Sequence, residues 1–186
     1  ICIVSSNMDE FFEVRMADYI EAARQPGTGV VDGDLDSVAS QAHALIVDQY
    51  RCFNDEVMPA LQRAGIVVVN HAERDKAQRR WVDEFFQGQV RPLLVPVGLD
   101  PAHPFPQVAN KSLNFIVRLG GKDAFGRENQ IAIVKVPRVL PRVMRLPDKI
   151  SGGRQAFVLL TSVIRAHLEV RFQGRGVEAF SQFRLT

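Results

Sequence analysis

The chain contains only two cysteines in 186 residues, Cys2 and Cys52. Two thiols supply neither a disulfide framework nor a four-ligand zinc site, so the sequence predicts two small buried hydrophobes in a reducing compartment. No run of eighteen apolar residues occurs. The longest candidates are Ile66 to Val69 and the proline-broken stretch from Pro92 to Leu99, which excludes a helical membrane span. The N-terminal stretch has no basic region followed by an apolar core and a small-residue cleavage site, which predicts no signal peptide. Generic catalytic and ligand motifs are also missing. There is no GxxxxGK[ST] loop and no HExxH pair. DGDLDS, from Asp32 to Ser37, imitates the start of a calcium loop, but Ser37 stands where the sharp turn needs glycine and His43 where a bidentate glutamate belongs. GRGVEA, from Gly174 to Ala179, has the glycines of a dinucleotide fingerprint but in the wrong order, following a predicted helix and entering a strand. His43, His71, His103 and His167 lie far apart without metal spacing, so each is read as a surface or satisfied core histidine. No catalytic residue and no metal ligand is assigned.

The sequence does carry a core and a charge reversal. Hydrophobic residues make up 46% of the chain, enough for one large or two small globular domains. Residues 1 to 60 hold three arginines against eleven acids, a balance of −8, and the remainder holds twenty basic residues against ten acids, a balance of +10. The reversal suggests two modules with different partners, the basic one suited to phosphates, and a merely solvated surface accounts for it as well, since charge balance says nothing about spatial clustering. Nucleic acid is disfavoured because aromatic side chains are not interleaved with the basic ones.

Periodicity gives the elements. Residues 5–24 read as a helix with Met8, Phe11, Phe12, Met16, Tyr19 and Ile20 on one face and Asp9, Glu10, Glu13 and Glu21 on the other. Ser6 with Asp9, or Asn7 with Glu10, has capping-box spacing at its start. Residues 25–36 are loop, and 37–64 a second helix that Pro59 kinks or ends. Gly65 fits the left-handed position beyond the last turn, before a β-branched strand at 66–70. Residues 73–87 return to helix around Trp81, Phe85 and Phe86. Proline density after Arg91 makes a stiff connector. Strands at 113–119 and 130–136 flank GGKDAFGREN and form an antiparallel hairpin. A helix capped by Thr161 or Ser162 carries Val163, Ile164, His167, Leu168 and Phe172, ends at Gly174 and Gly176, and leads to a strand at 177–185. The fold class is α+β: a helical domain at 1–65, then a mixed domain of antiparallel strands and helices at 66–186.

Lys135, Arg138, Arg142 and Arg145, interleaved with Pro137 and Pro141, form a basic strip held extended. A polyanion contact strengthened by counterion release fits it, and so does a solvated edge strand protected by charge and proline.

Five collinear blocks then carry a family likeness. VSSNMDEFFEVRMAD resembles the SSNLDEFFMVR signature of class 1 polyphosphate kinases, and MPALQRAGIVVV, RRWVDEFFQGQVRPLLVPVGLDPAHPFPQVANKSLNFIVRL, VKVPRVLPRVMRLP and HLEVRFQGRGVEAFSQFRLT continue the likeness over almost the whole chain. Met8 in place of leucine, and Gln107 within the HPFP segment, are local departures. The resemblance implies part of a cytoplasmic, homo-oligomeric enzyme, a dimer or higher, that moves the terminal phosphate of ATP reversibly onto polyphosphate through a phosphohistidine with magnesium. It implies that the chain begins inside the helical domain and stops inside the head domain, with the catalytic histidine, the magnesium ligands and the phosphate-binding arginines lying elsewhere. It places Asn7 at the adenine end of ATP. An N-cap role for Asn7 stands beside that reading, because a capping asparagine is replaceable by Ser or Asp whereas an amide reading a base edge offers both donor and acceptor. The alternative for the whole chain is a non-catalytic oligomerisation or polyanion-binding module.

Overall fold

The computed structural model describes residues 1–24, 32–99, 105–121, 131–172 and 175–184. The chain divides into two compact units, Ile1–Ala64 and a second from Gly65 onward.

The first unit is helical. Helix α1 (Cys2–Glu10) passes through a π-helical turn at Phe11–Arg15 into α2 (Met16–Arg24). Helix α3 (Asp32–Cys52) passes through a second π-turn at Phe53–Val57 into α4 (Met58–Arg63). The second π-turn explains why Pro59 does not stop the helix. Proline has no N–H to donate, and it falls at the start of α4, where the wider turn has already broken the regular ladder. Gln49 joins the two helical stretches by donating to the Ile1 carbonyl at 3.1 Å and to the Ser5 hydroxyl at 2.5 Å. Met8, Phe11, Met16 and Tyr19 are half-buried as the periodicity predicts, while Phe12 and Ile20 are exposed and Asp9 and Glu13 are half-buried. Each π-turn adds a residue to the turn and so rotates the face that follows it, an effect a constant period of 3.6 omits. The expected loop runs only to residue 31 at most, because Asp32 already opens α3. Cys2 is exposed and Cys52 half-buried, so the expectation that both are buried fails.

Gly65 takes φ +77°, the left-handed conformation beyond the end of a helix in which a side chain is strained. A Cβ there meets nothing within 4 Å, so Gly65→Ala isolates the backbone cost. Its urea midpoint is expected to fall by the equivalent of about 1 kcal/mol, with an unchanged midpoint the contrary result.

In the second unit, strands β1 (Ile66–Val68), β5 (Val143–Arg145) and β6 (Gln155–Leu159) form one sheet in the order β1-β6-β5, with β1 parallel and β5 antiparallel to β6. A second sheet is wholly antiparallel, in the order β2-β4-β3-β7, from β2 (Pro96–Gly98), β3 (Leu113–Leu119), β4 (Ile131–Lys135) and β7 (Val177–Arg184). β2 begins on a proline and lies at the sheet edge, where a missing donor is tolerated. The β3–β4 pairing is the expected antiparallel one, and its turn lies outside the described residues apart from Gly120 and Gly121.

Helix α5 (Lys76–Phe85) opens on Asp75, whose carboxylate accepts from the Gln78 N–H at 2.8 Å while the Gln78 side chain accepts from the Asp75 N–H at 3.1 Å. This reciprocal cap fixes its start. A π-turn at Phe86–Val90 and a 3₁₀ turn at Arg91–Leu93 prolong it beyond the expected end. Helices α6 (Leu160–Ala166) and α7 (Leu168–Arg171) complete the unit. α6 has Leu159 at its N-cap position with no side-chain cap, so neither Thr161 nor Ser162 caps it. The Ser162 hydroxyl instead accepts from Arg74 at 2.6 Å. Phe86, Val90, Leu94, Phe115, Val117, Val134, Val158, Leu160 and Ile164 belong to one buried cluster shared by both sheets and the helices.

Candidate functional site

Asn7 lies inside α1, on its exposed surface, and its side chain makes no hydrogen bond among the described residues. The capping box expected from Ser6 with Asp9 or Asn7 with Glu10 does not form, because these residues are already helical. Mid-helix asparagine is up to about 0.7 kcal/mol less favourable than alanine. Local stability therefore gives no reason for the amide.

The basic strip is divided. Lys135 ends β4 in the antiparallel sheet, whereas Arg145 ends β5 in the other. Arg145 is taken by Asp148 at 2.9 Å. Arg142 is exposed, and its carbonyl accepts from the Leu160 N–H at 2.9 Å. Lys135 and Arg138 alone of the strip share a cavity, of about 600 Å³, with Leu93, Val108 and Pro137 on its walls and no carboxylate among its described lining residues. The Lys135 ammonium is anchored on the Gln107 carbonyl at 2.6 Å. Arg138 makes no side-chain hydrogen bond or ion pair among the described residues. Sequence reasoning found the two cations but missed the cavity, because Leu93, Gln107, Val108 and Ala109 reach it through tertiary folding of the proline-rich connector.

A second group of cations surrounds His71. Arg74 is 2% exposed, and its Nε and Nη1 have no hydrogen-bond partner. Burial lowers its pKa, and Arg79 adds to this while Asp83 opposes it. The His71 ring is largely open, but the shielding it has, followed by the charges of Arg74 and Arg165, lowers its pKa from 6.5. Unfolding restores the ordinary value, so below 6.5 the unfolded chain binds more protons than the folded one. The stability is complete above that value and lost as pH falls through the lowered one. Urea midpoints between about pH 7.5 and about pH 5.5 are expected to fall less for His71→Gln than for the unaltered chain. Equal slopes would remove His71 from the account.

His167 is 5% exposed and stacks on Phe86 with ring centroids 4.0 Å apart. Its Nδ1 lies 2.8 Å from the Val163 carbonyl and its Nε2 2.8 Å from the Asp83 carboxylate. Both partners are acceptors, so the two bonds form together when the ring donates from both nitrogens. His43 is exposed on α3, and His103 lies outside the described residues. Among the described residues no group of three or more His, Cys, Asp or Glu is placed to hold a metal, so none fits magnesium.

The class so defined is a helical module joined to an α+β module that presents an amide and a cationic pocket, without a metal cluster among the described residues. Residues 1–69 match the family model described as the polyphosphate kinase N-terminal domain, and residues 77–186 that of the polyphosphate kinase middle domain. The chain belongs to the polyphosphate kinase family. A polyphosphate kinase of Neisseria gonorrhoeae is 44% identical over 192 aligned residues, taking in 100% of this chain and 28% of the relative. One of Burkholderia multivorans is 45% identical with the same coverage. The chain thus spans little more than a quarter of these relatives. The crystal structure of polyphosphate kinase from Porphyromonas gingivalis superimposes with a TM-score of 0.78 at 25% identity, over 97% of this chain and 27% of that one. No helix among the described residues is long and apolar enough to cross a membrane.

Proposed function

We propose that this chain is the N-terminal part of a cytoplasmic enzyme that transfers the terminal phosphate of ATP to polyphosphate, reversibly and through a phosphohistidine. Its helical domain, residues 1–65, supplies the adenine-side contact through Asn7, and residues 66–186 form the head domain. The observation that carries the reading is an amide without a partner among the described residues, on an exposed helix face, within a chain matched along most of its length by two polyphosphate kinase domain models. A base edge presents adjacent donor and acceptor atoms, and a carboxamide meets both. Magnesium, the phosphate-binding arginines and the histidine nucleophile belong to the rest of the enzyme. Of the basic strip, the part left for an anionic ligand is Lys135 with Arg138, since Arg145 pairs with Asp148.

The full-length protein given ATP and magnesium is expected to form polyphosphate and ADP, and to form ATP when given polyphosphate and ADP. ADP release without polyphosphate would overturn the reading.

The second reading, a structural and oligomerising module, is favoured by a specific feature of the first unit. Among its described residues Ala42 is the one buried hydrophobic side chain, while Ile3, Val14, Leu45 and Tyr50 are exposed. Such a surface fits further polypeptide, in the same enzyme or in a second copy.

A further inference from the structure

We propose that the cavity between Lys135 and Arg138 is a second ligand site, for an organic phosphate of nucleotide size. It goes beyond the Asn7 contact, because every described residue lining it belongs to the second unit. Its volume, about 600 Å³, lies in the range of small-molecule sites. Among the described residues the lining carries two cations and no acid, so their field favours an anion. Gln107 holds the Lys135 ammonium by one N–H, leaving two donors for a ligand, and among the described residues nothing pairs with the planar fork of Arg138.

The walls decide what kind of anion. Leu93, Val108 and Pro137 are apolar, and inorganic polyphosphate would set charge against them without filling them. A ligand with an apolar or aromatic body covers these walls and places its phosphates on the two cations. The backbone at the wall adds a second sign. Lys111 takes φ +56°, in the left-handed region that favours glycine, within a turn closed by the Ser112 N–H on the Ala109 carbonyl at 3.1 Å. Strain of this sort is retained where surrounding structure holds a site in shape. Ser112 and Ala109 both line the cavity.

Equilibrium dialysis of the full-length enzyme with labelled ADP is expected to give two equivalents per chain. Arg138→Glu, which reverses a rim charge, and Val108→Trp, which fills the cavity without touching charge, should each leave one. Asn7→Asp should weaken the other equivalent and spare this one, so failure of the Asn7 reading is separable. ATP should displace the Arg138-dependent equivalent at concentrations where inorganic phosphate and polyphosphate do not. Photo-crosslinking of the unaltered protein with an azido-ADP should label residues 105–121 or 131–138. Two equivalents retained in both variants, displacement by polyphosphate ahead of ATP, or labelling confined to other residues would each overturn the proposal.

Discussion

Incubated with γ-labelled ATP and magnesium, the 186-residue chain is expected to take up no acid-labile label and to make no polyphosphate. Phosphoryl transfer depends on alignment of the transferring group and on cations and metal that stabilise its charge. None of the described histidines has that apparatus. His167 has both ring nitrogens committed, to Val163 and Asp83. His43 stands alone on an exposed helix face. His71 comes nearest, since Arg74 and Arg165 lie close enough to lower its pKa, but it has no orienting carboxylate bonded to it and no metal cluster among the described residues. The loss relative to the full-length enzyme should therefore be complete. Label abolished by changing His43, His71, His103 or His167 would show a reacting centre in this part of the chain, and His71 is where it would be found.

The parts of the fold written in local pattern were legible in the sequence. β3 matches its expected bounds, 113–119, because Phe115, Val117 and Leu119 alternate with less buried neighbours, although Asn114 breaks the pattern by being fully buried. It is held by the Ser112 carbonyl and hydroxyl, which no period of two announces. Gly65 was readable because the left-handed position beyond a helix end favours glycine, which takes it without strain. The sheet β1-β6-β5 was not foreseen as a unit. β5 has three residues within a proline-rich stretch, and β6 pairs with β1 across nearly ninety positions, so its hydrogen bonds are decided by tertiary contact.

The candidate site was legible only as residue types. Residue types pointed to Asn7 and to the cations, but whether they are free or neutralised depends on neighbours. Asp148 removes Arg145 from the strip, and Gln107 anchors Lys135 from a connector that carries no periodic signal. The cap reading of Asn7 was sound chemistry at the wrong position, since spacing alone does not say where a helix begins.

With the cap excluded, substitution at Asn7 separates function from stability. Asp keeps the size and one acceptor of the amide but loses its donor and adds a charge facing an adenine. It disturbs the helix little, because the side chain is exposed and unpaired among the described residues. A hydrogen bond lost to a bound base, with its partner left unsatisfied, costs about 1–2 kcal/mol, or roughly five- to thirtyfold in affinity. The measurement is the Michaelis constant for ATP in full-length Asn7→Asp beside the unaltered enzyme, with thermal unfolding of both. The account predicts a constant raised by about five- to thirtyfold at an unchanged unfolding temperature. An unchanged constant in a folded variant would contradict it.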